Sequence, residues 1–357
     1  MGPADRGAVC PGLNFMNSEV QVKDVNIKSE EKFDVVALGE LLIDFTESAY
    51  TEAENRLFEQ NPGGAPANLL TAASHMGYRT AFIGKVGTDM HGAFLKATLE
   101  KEGIDVKGIV EDPDYFTTLA FVEIDKKGER KFSFARKPGA DLMLRKEEIP
   151  KEMLAGCKIF HFGSLSLTDD PARSATIEAI KLAKEAGAVI SYDPNYRASL
   201  WKSQEIAVET MKAVLPLADM LKVSDEESLL LTGKTSYAEA ADAFLSLGLK
   251  VVAITMGDQG VLVAGGDEKT VIKAFSVKAV DTTGAGDSFW GGFLSCFLSL
   301  NQSIDRVVWE DIKKCAAFGN AVAALCVQKR GGIPSIPDRE AVFSFMEKRG
   351  LQPEDHS

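Results

Sequence analysis

The chain has 357 residues, 45% of them hydrophobic and 26% charged, with a formal net charge of −12. That content suffices for a large core in one α/β domain, alone or with a small appendage. The acidic balance, with no basic cluster, argues against nucleic acid and anionic membrane as partners, and no run of 18 apolar residues reads as a membrane span.

Residues 1–30 carry mixed charge and no signal-peptide apolar core, so they read as a disordered leader on a cytoplasmic protein, with Met16 an alternative start. A strand is expected at 33–39. Residues 41–62 then run as strand or loop without a helical period, and Asp44 closes the segment Gly39–Asp44. The segment 61–68 reads Asn-Pro-Gly-Gly-Ala-Pro-Ala-Asn. Its paired glycines, Gly63 and Gly64, let backbone approach a ligand, and Asn68 offers both a donor and an acceptor. A helix follows at 66–77, a strand at 80–86 and a helix at 90–102. Residues 117–124 and 130–136 alternate aromatic and β-branched side chains around Asp125-Lys-Lys-Gly128, a hairpin pattern that puts Phe132, Phe134 and Arg136 on one face.

Beyond the hairpin, strands at 158–162, 188–192, 219–223 and 250–255 alternate with helices at 171–186, 203–214, 236–247 and 305–328. This alternation argues for a mostly parallel sheet with helices on both faces. Asp193, Asn195 and Arg197 follow the 188–192 strand at its C-terminal end, where ligands sit in open α/β sheets, although Asp-Pro-Asn is also a turn sequence. Gly233-Lys-Thr235 mimics the end of a Walker A loop. The glycine required five places earlier is Ser228, and the preceding helix makes Gly233 a C-cap.

Residues 281–292, DTTGAGDSFWGG, carry the most chemistry. Gly284, Ala285 and Gly286 run into Asp287, and an apolar helical pattern follows at once. A glycine loop feeding a helix start directs unpaired N–H groups and the positive helix end at one spot. Asp287 there is placed to take a proton from a hydroxyl attacking a phosphorus held beside it, which suggests phosphoryl transfer to an alcohol. The same tetrapeptide also reads as an ordinary helix start. Five scattered cysteines without a CxxC pair read as reduced thiols, and four histidines show no metal-ligand spacing.

Two segments together, PGGAPAN (62–68) continuing to GYRTAFIGKVGTDMHG (77–92), and DTTGAGDSFWGG, resemble the two signatures of the ribokinase/PfkB sugar-kinase family. The resemblance runs from about Phe33 to about Pro337. KFSFARKPGADLML (131–144), FHFGSLSL (160–167), YDPNYR (192–197) and RGGIPSIP (330–337) are most similar to its fructokinases. It implies a ribokinase-like three-layer α/β/α sandwich with a mostly parallel central sheet. The kinase domain would span 31–348, ahead of a tail at 349–357, with a small β-sheet lid from about 41–62 and 112–138. Such lids double as dimer surfaces, so a homodimer is expected. The implied reaction is ATP-dependent phosphorylation of D-fructose on a primary hydroxyl, giving fructose 6-phosphate. A 2-keto-3-deoxygluconate kinase, a ribokinase and a non-catalytic sugar-binding regulator stand as alternatives.

The resemblance also implies residue roles. Asp287 is the base, with Gly284, Ala285 and Gly286 as the anion hole. Asp44, Gly63, Gly64 and Asn68 take the sugar, with Arg136 reaching the ketose and Arg197 facing the transferred group. Thr255, Gly257 and Gly260 lie beside the ribose and phosphates, and Asn320 lies beside adenine. Ser224 replaces the family's usual Asn ahead of Glu227, which orients water around Mg²⁺. K⁺ would sit among Asp281, the Thr283 carbonyl and the 327–335 loop near Gly332.

Overall fold

Val35–Leu38 offers no polar side chain, so this strand can only lie in a sheet covered on both faces. In the computed structural model, which describes residues 33–124 and 130–351, it lies within one. After this β1 come β2 (Leu42–Tyr50), β3 (Arg56–Gly63), α1 (Ala65–His75), β4 (Thr80–Gly87), α2 (Met90–Lys101) and β5 (Ile104–Asp112). Next are β6 (Leu119–Ile124), β7 (Arg130–Ala135), α3 (Lys151–Leu154), β8 (Ile159–Gly163), α4 (Ala172–Glu185) and β9 (Val189–Asp193). They are followed by α5 (Gln204–Val214), β10 (Met220–Ser224), α6 (Asp225–Thr232), α7 (Tyr237–Leu245), β11 (Val251–Thr255), β12 (Val261–Gly265) and β13 (Glu268–Ile272). The chain ends in α8 (Ala285–Ser299), α9 (Trp309–Cys326) and α10 (Arg339–Glu347).

The large sheet has the order β13-β12-β11-β10-β9-β8-β1-β4-β5 and is parallel from β11 to β5. Only β12 and β13 are antiparallel additions. Side-chain alternation along β1 splits the core into two layers. Val36 and Leu38 join the apolar faces of α4, α5 and α7, while Val35 and Ala37 join those of α1, α8 and α9. The three-layer sandwich follows. A separate sheet, β3-β2-β6-β7, is held by the parallel β2/β6 pair, whose register sets Asp44 against Ala120 and, across β3, against Asn61.

The strands and helices named from the sequence are present, with one correction. The 305–328 helix is divided: a short 3-10 turn at Ile304–Arg306 precedes α9, which starts only at Trp309. β5, the β12–β13 pair and α10 went unforeseen. Gly233 ends α6 in the left-handed conformation, φ 68°, as a C-cap. Cys157, Cys315 and Cys326 are buried free thiols. Among the described residues, no helix is long and apolar enough to cross a membrane. The leader 1–30, the Asp125–Gly128 turn and residues 352–357 lie outside the described residues.

Candidate active site

The start of α8 is built by its own sequence. Asp281 accepts the Thr283 N–H on Oδ1 (2.8 Å) and the Gly331 N–H on Oδ2 (3.0 Å), fixing the loop ahead of the helix. Gly284 then takes φ 74°, a left-handed conformation with little room for a side chain, since an added Cβ would lie 3.3 Å from the Gly332 Cα. The Ala285 N–H is already bonded to the Thr282 carbonyl at 3.2 Å, which corrects the expectation that it serves the anion hole. The N–H groups of Gly286 and Asp287 have no protein acceptor among the described residues, and the fifteen-residue helix aims its positive end at them.

Asp287 meets two other segments of the chain. Asn68 of α1 donates from Nδ2 to Oδ2 at 2.8 Å, and Asn195, beyond β9 with φ 44°, approaches Oδ1 at 3.5 Å. Burial pushes this carboxyl upward, while Lys222, Asn68 and Arg197 oppose that shift. Asn68 was expected to bind sugar. It lines the cleft, its amide nitrogen bonded to Asp287 and its Oδ1 buried and without a partner.

Around Asp287 opens a cleft of about 400 Å³, bounded on one side by Asp44, Gly64 and Phe134, and on the other by Arg197, Ser224 and Thr255. The sugar-side glycines have steric reasons. A Cβ on Gly63 would lie 2.4 Å from Asp44 Oδ2, and one on Gly64, φ 121°, would lie 2.4 Å from the Glu40 carbonyl. Arg136 requires a correction. β7 ends at Ala135, and the guanidinium is bound by Asp141 (2.7 Å from Nε), Thr168 Oγ1 (3.1 Å) and the Leu165 carbonyl (2.9 Å). It is 5% exposed and does not line the cleft; it ties the end of β7 to Leu165, which does. Phe134, on the same strand face, does reach the cleft.

On the other side, Glu227 lines an adjoining recess with Arg197 and Ser224. Its carboxylate accepts the Tyr196 N–H (2.6 Å) and the Ser224 N–H (2.8 Å), and Ser224 Oγ accepts the Glu227 N–H (3.1 Å), a capping box at the start of α6. Gly257 and Gly260 shape the β11–β12 turn without lining the cleft. A Cβ on Gly260 would lie 2.1 Å from the Ile272 carbonyl. Asn320 is also reassigned: Nδ2 donates to the Ile272 and Lys273 carbonyls (3.2 and 3.1 Å), tying α9 to the end of β13. The Gly332 carbonyl accepts both the Ser335 N–H (2.9 Å) and Oγ–H (2.7 Å) within its own turn. Asp281 and Thr283 remain together beneath the loop. No group of three or more His, Cys, Asp or Glu side chains placed to hold a metal ion occurs among the described residues.

Two cleft residues were not singled out from the sequence. Lys222 interrupts the otherwise apolar β10, its Nζ 2.8 Å from Asp193 Oδ2. A charge within a fully buried strand was the available signal. Glu40 follows β1, is 3% exposed, and accepts the Ala65 N–H at 3.0 Å. Burial pushes its carboxyl up to about 7, and Oε2 has no partner.

The pfkB family carbohydrate kinase model matches residues 32–339. A probable fructokinase-5 of Arabidopsis thaliana is 43% identical over 323 residues, covering 88% of this chain and 98% of its own. The fructokinase of Xylella fastidiosa with bound ATP superposes with TM-score 0.81 at 30% identity, over 89% of this chain and 99% of its own. A double mutant of the Vibrio cholerae fructokinase with fructose, ADP and potassium bound gives TM-score 0.79 at 32% identity, over 88% and 98%.

Proposed function

The chain belongs to the pfkB family of carbohydrate kinases, and we propose that it transfers the terminal phosphoryl group of ATP to the primary hydroxyl of D-fructose, giving fructose 6-phosphate. One observation carries the chemistry. Asp287 stands beside the open N–H groups of Gly286 and Asp287, in one cleft with Asp44 on the far wall.

Asp44 takes sugar hydroxyls. A charged acceptor discriminates strongly, because losing a hydroxyl leaves that charge unpaired. Phe134 covers the sugar from the small sheet, which acts as a lid that keeps competing water from the phosphoryl group. The attacking hydroxyl oxygen forms a bond to the γ-phosphorus as the bond to the bridging oxygen breaks. The electron pair leaves on ADP, and the hydroxyl proton passes to Asp287. The Gly286 and Asp287 N–H groups hold the equatorial oxygens as their charge rearranges. Arg197, exposed at the rim, adds a flexible positive charge there.

Mg²⁺ suits this site as a companion of the nucleotide: lacking a protein-built cage, it would rest on the phosphates and neutralise them, with water ordered near Glu227 and Ser224. The donor set of Asp281 and the Thr283 carbonyl fits a monovalent cation such as K⁺ that stiffens the loop. Activity that is flat when KCl replaces choline chloride at fixed ionic strength removes that cation and leaves the kinase. The small sheet serves as the surface of a homodimer.

A coupled ADP-release assay over fructose, ribose and 2-keto-3-deoxygluconate tests the reading. Fructose should lead in kcat/KM by about tenfold or more. A different leading sugar changes the substrate, and no ADP release with any sugar leaves a sugar-binding regulator.

A further inference from the structure

We propose that Lys222 is a catalytic residue of this phosphoryl transfer, its ammonium completing the anion hole that the Gly286 and Asp287 N–H groups begin; the assignment rests on the kinase reading above. Met220, Lys222 and Ser224 share one face of β10, the face covered by α8, so the lysine points at the start of that helix. The approach is close: a Cβ on Gly286 would lie 2.7 Å from Lys222 Nζ and 3.3 Å from Cε. Gly286 is thus small because the lysine occupies the space a side chain would need. The lysine side chain is 7% exposed, yet it lines both the cleft around Asp287 and the recess beside Glu227.

A buried ammonium is costly to desolvate, and an apolar side chain would pack a strand interior at lower cost. Asp193 offsets part of that cost through its Oδ2 at 2.8 Å, with its own Oδ1 accepting the Asn195 N–H at 3.1 Å. One of the three ammonium N–H donors is thereby used, and Asp193 is the hydrogen-bond partner found among the described residues. The side chain lines the cleft beside Asp287 and the recess beside Glu227, so a ligand there can take the other two. A purely structural ion pair needs neither two spare donors nor a place at the mouth of a helix N-terminus. Held by Asp193, the ammonium meets the phosphoryl oxygens where sugar and nucleotide converge, and follows their charge as the transfer proceeds.

The test separates this role from a structural one. Lys222→Met should lower kcat by roughly 10²–10³, the usual cost of removing one oxyanion donor, with far smaller changes in KM for fructose and ATP. Lys222→Met leaves Asp193 buried and unpaired, so its unfolding midpoint is measured in parallel with the double variant Lys222→Met/Asp193→Asn, which removes both charges. The double variant should regain stability without regaining kcat. In Lys222→Ala, added methylammonium should restore part of kcat, while tetramethylammonium, with no N–H donor, should not. A kcat for Lys222→Met within about threefold of wild type overturns the proposal, as does recovery of kcat in the double variant. Wild-type turnover in the same assays keeps the kinase reading independent of either result.

Discussion

As the proposed base, Asp287 must be ionised to accept a proton, and its neighbours set when that is. Asp287→Asn should lower kcat by about 10²–10⁴ while fructose still binds in a calorimetric titration. Near-normal turnover would remove this residue from the mechanism. Because burial raises the carboxyl, kcat/KM of the wild type should fall on the acid side above the ordinary carboxylate range. Asn68 donates to the charged form and so holds that pKa down. Asn68→Ala should move the acid limb to higher pH, and an unmoved limb would mean the 2.8 Å bond does not tune the base. Asp287 was legible in the sequence because a glycine loop, a carboxylate and an apolar helix adjoin along the chain. Asn68 and Lys222 reach the base from residues 219 and 65 positions away in the sequence, and no local pattern records that meeting. Arg136 failed differently. Alternation gave Phe134 its cleft face, but one residue past the end of β7 the chain turns, and Asp141 takes the guanidinium.

At the scale of elements, the junction of β1, β3 and α1 holds the wall of the cleft proposed to bind the sugar. Gly63 and Gly64 are adjacent but should fail in different ways. In Gly63→Ala the new methyl meets the movable end of Asp44, so the fold survives and KM for fructose rises while KM for ATP stays. In Gly64→Ala it meets the Glu40 backbone at φ 121°, so the unfolding midpoint falls instead. Equal KM values in Gly63→Ala and wild type would remove Asp44 from sugar binding. Glu40 ties the same junction through the Ala65 N–H. Its folded-state pKa of about 7 lies above the ordinary 4.5, so its protonated form stabilises the fold. That contribution is complete below the ordinary value and is lost as pH rises through about 7, on the order of 3 kcal/mol in all. Glu40→Gln keeps an acceptor without the charge. It should raise the unfolding midpoint by a few degrees at about pH 8.5 and by much less at about pH 5. An equal gain at both would place the charge elsewhere. Two of the strands the sequence left out share one cause. Ile104–Asp112 and Glu268–Ile272 are half-exposed edge strands whose charged residues blur the period-two pattern, whereas a central strand such as Val35–Leu38 reads as a plain apolar run.

For the molecule as a whole, the small sheet is the part that the large core does not fully enclose. Its inner end is well packed: Phe45 stacks on Phe121, Phe121 meets Phe58 edge-on, and Phe45 meets His91 of α2. Its outer end is bare. Tyr50 is 61% exposed and Leu57 45%, both near the β2–β3 turn and close to the register shift at Glu47/Ala49. A second copy docking there would bury these side chains and fix the lid that carries Asp44 and Phe134 over the sugar. A stable interface needs about 800 Å² per partner, so it must extend well beyond those two residues along the sheet. Sedimentation equilibrium should therefore give twice the chain mass of 38.5 kDa. Leu57→Asp places a charge in the contact and should shift the protein toward monomer. If the partner steadies the lid, the same variant should raise KM for fructose and leave KM for ATP unchanged, because Ser224 and Thr255, on the proposed nucleotide side, belong to the large sheet. A monomeric wild type would end the dimer proposal and leave the chemistry of Asp287 untouched. A dimer that survives Leu57→Asp would move the interface off the small sheet.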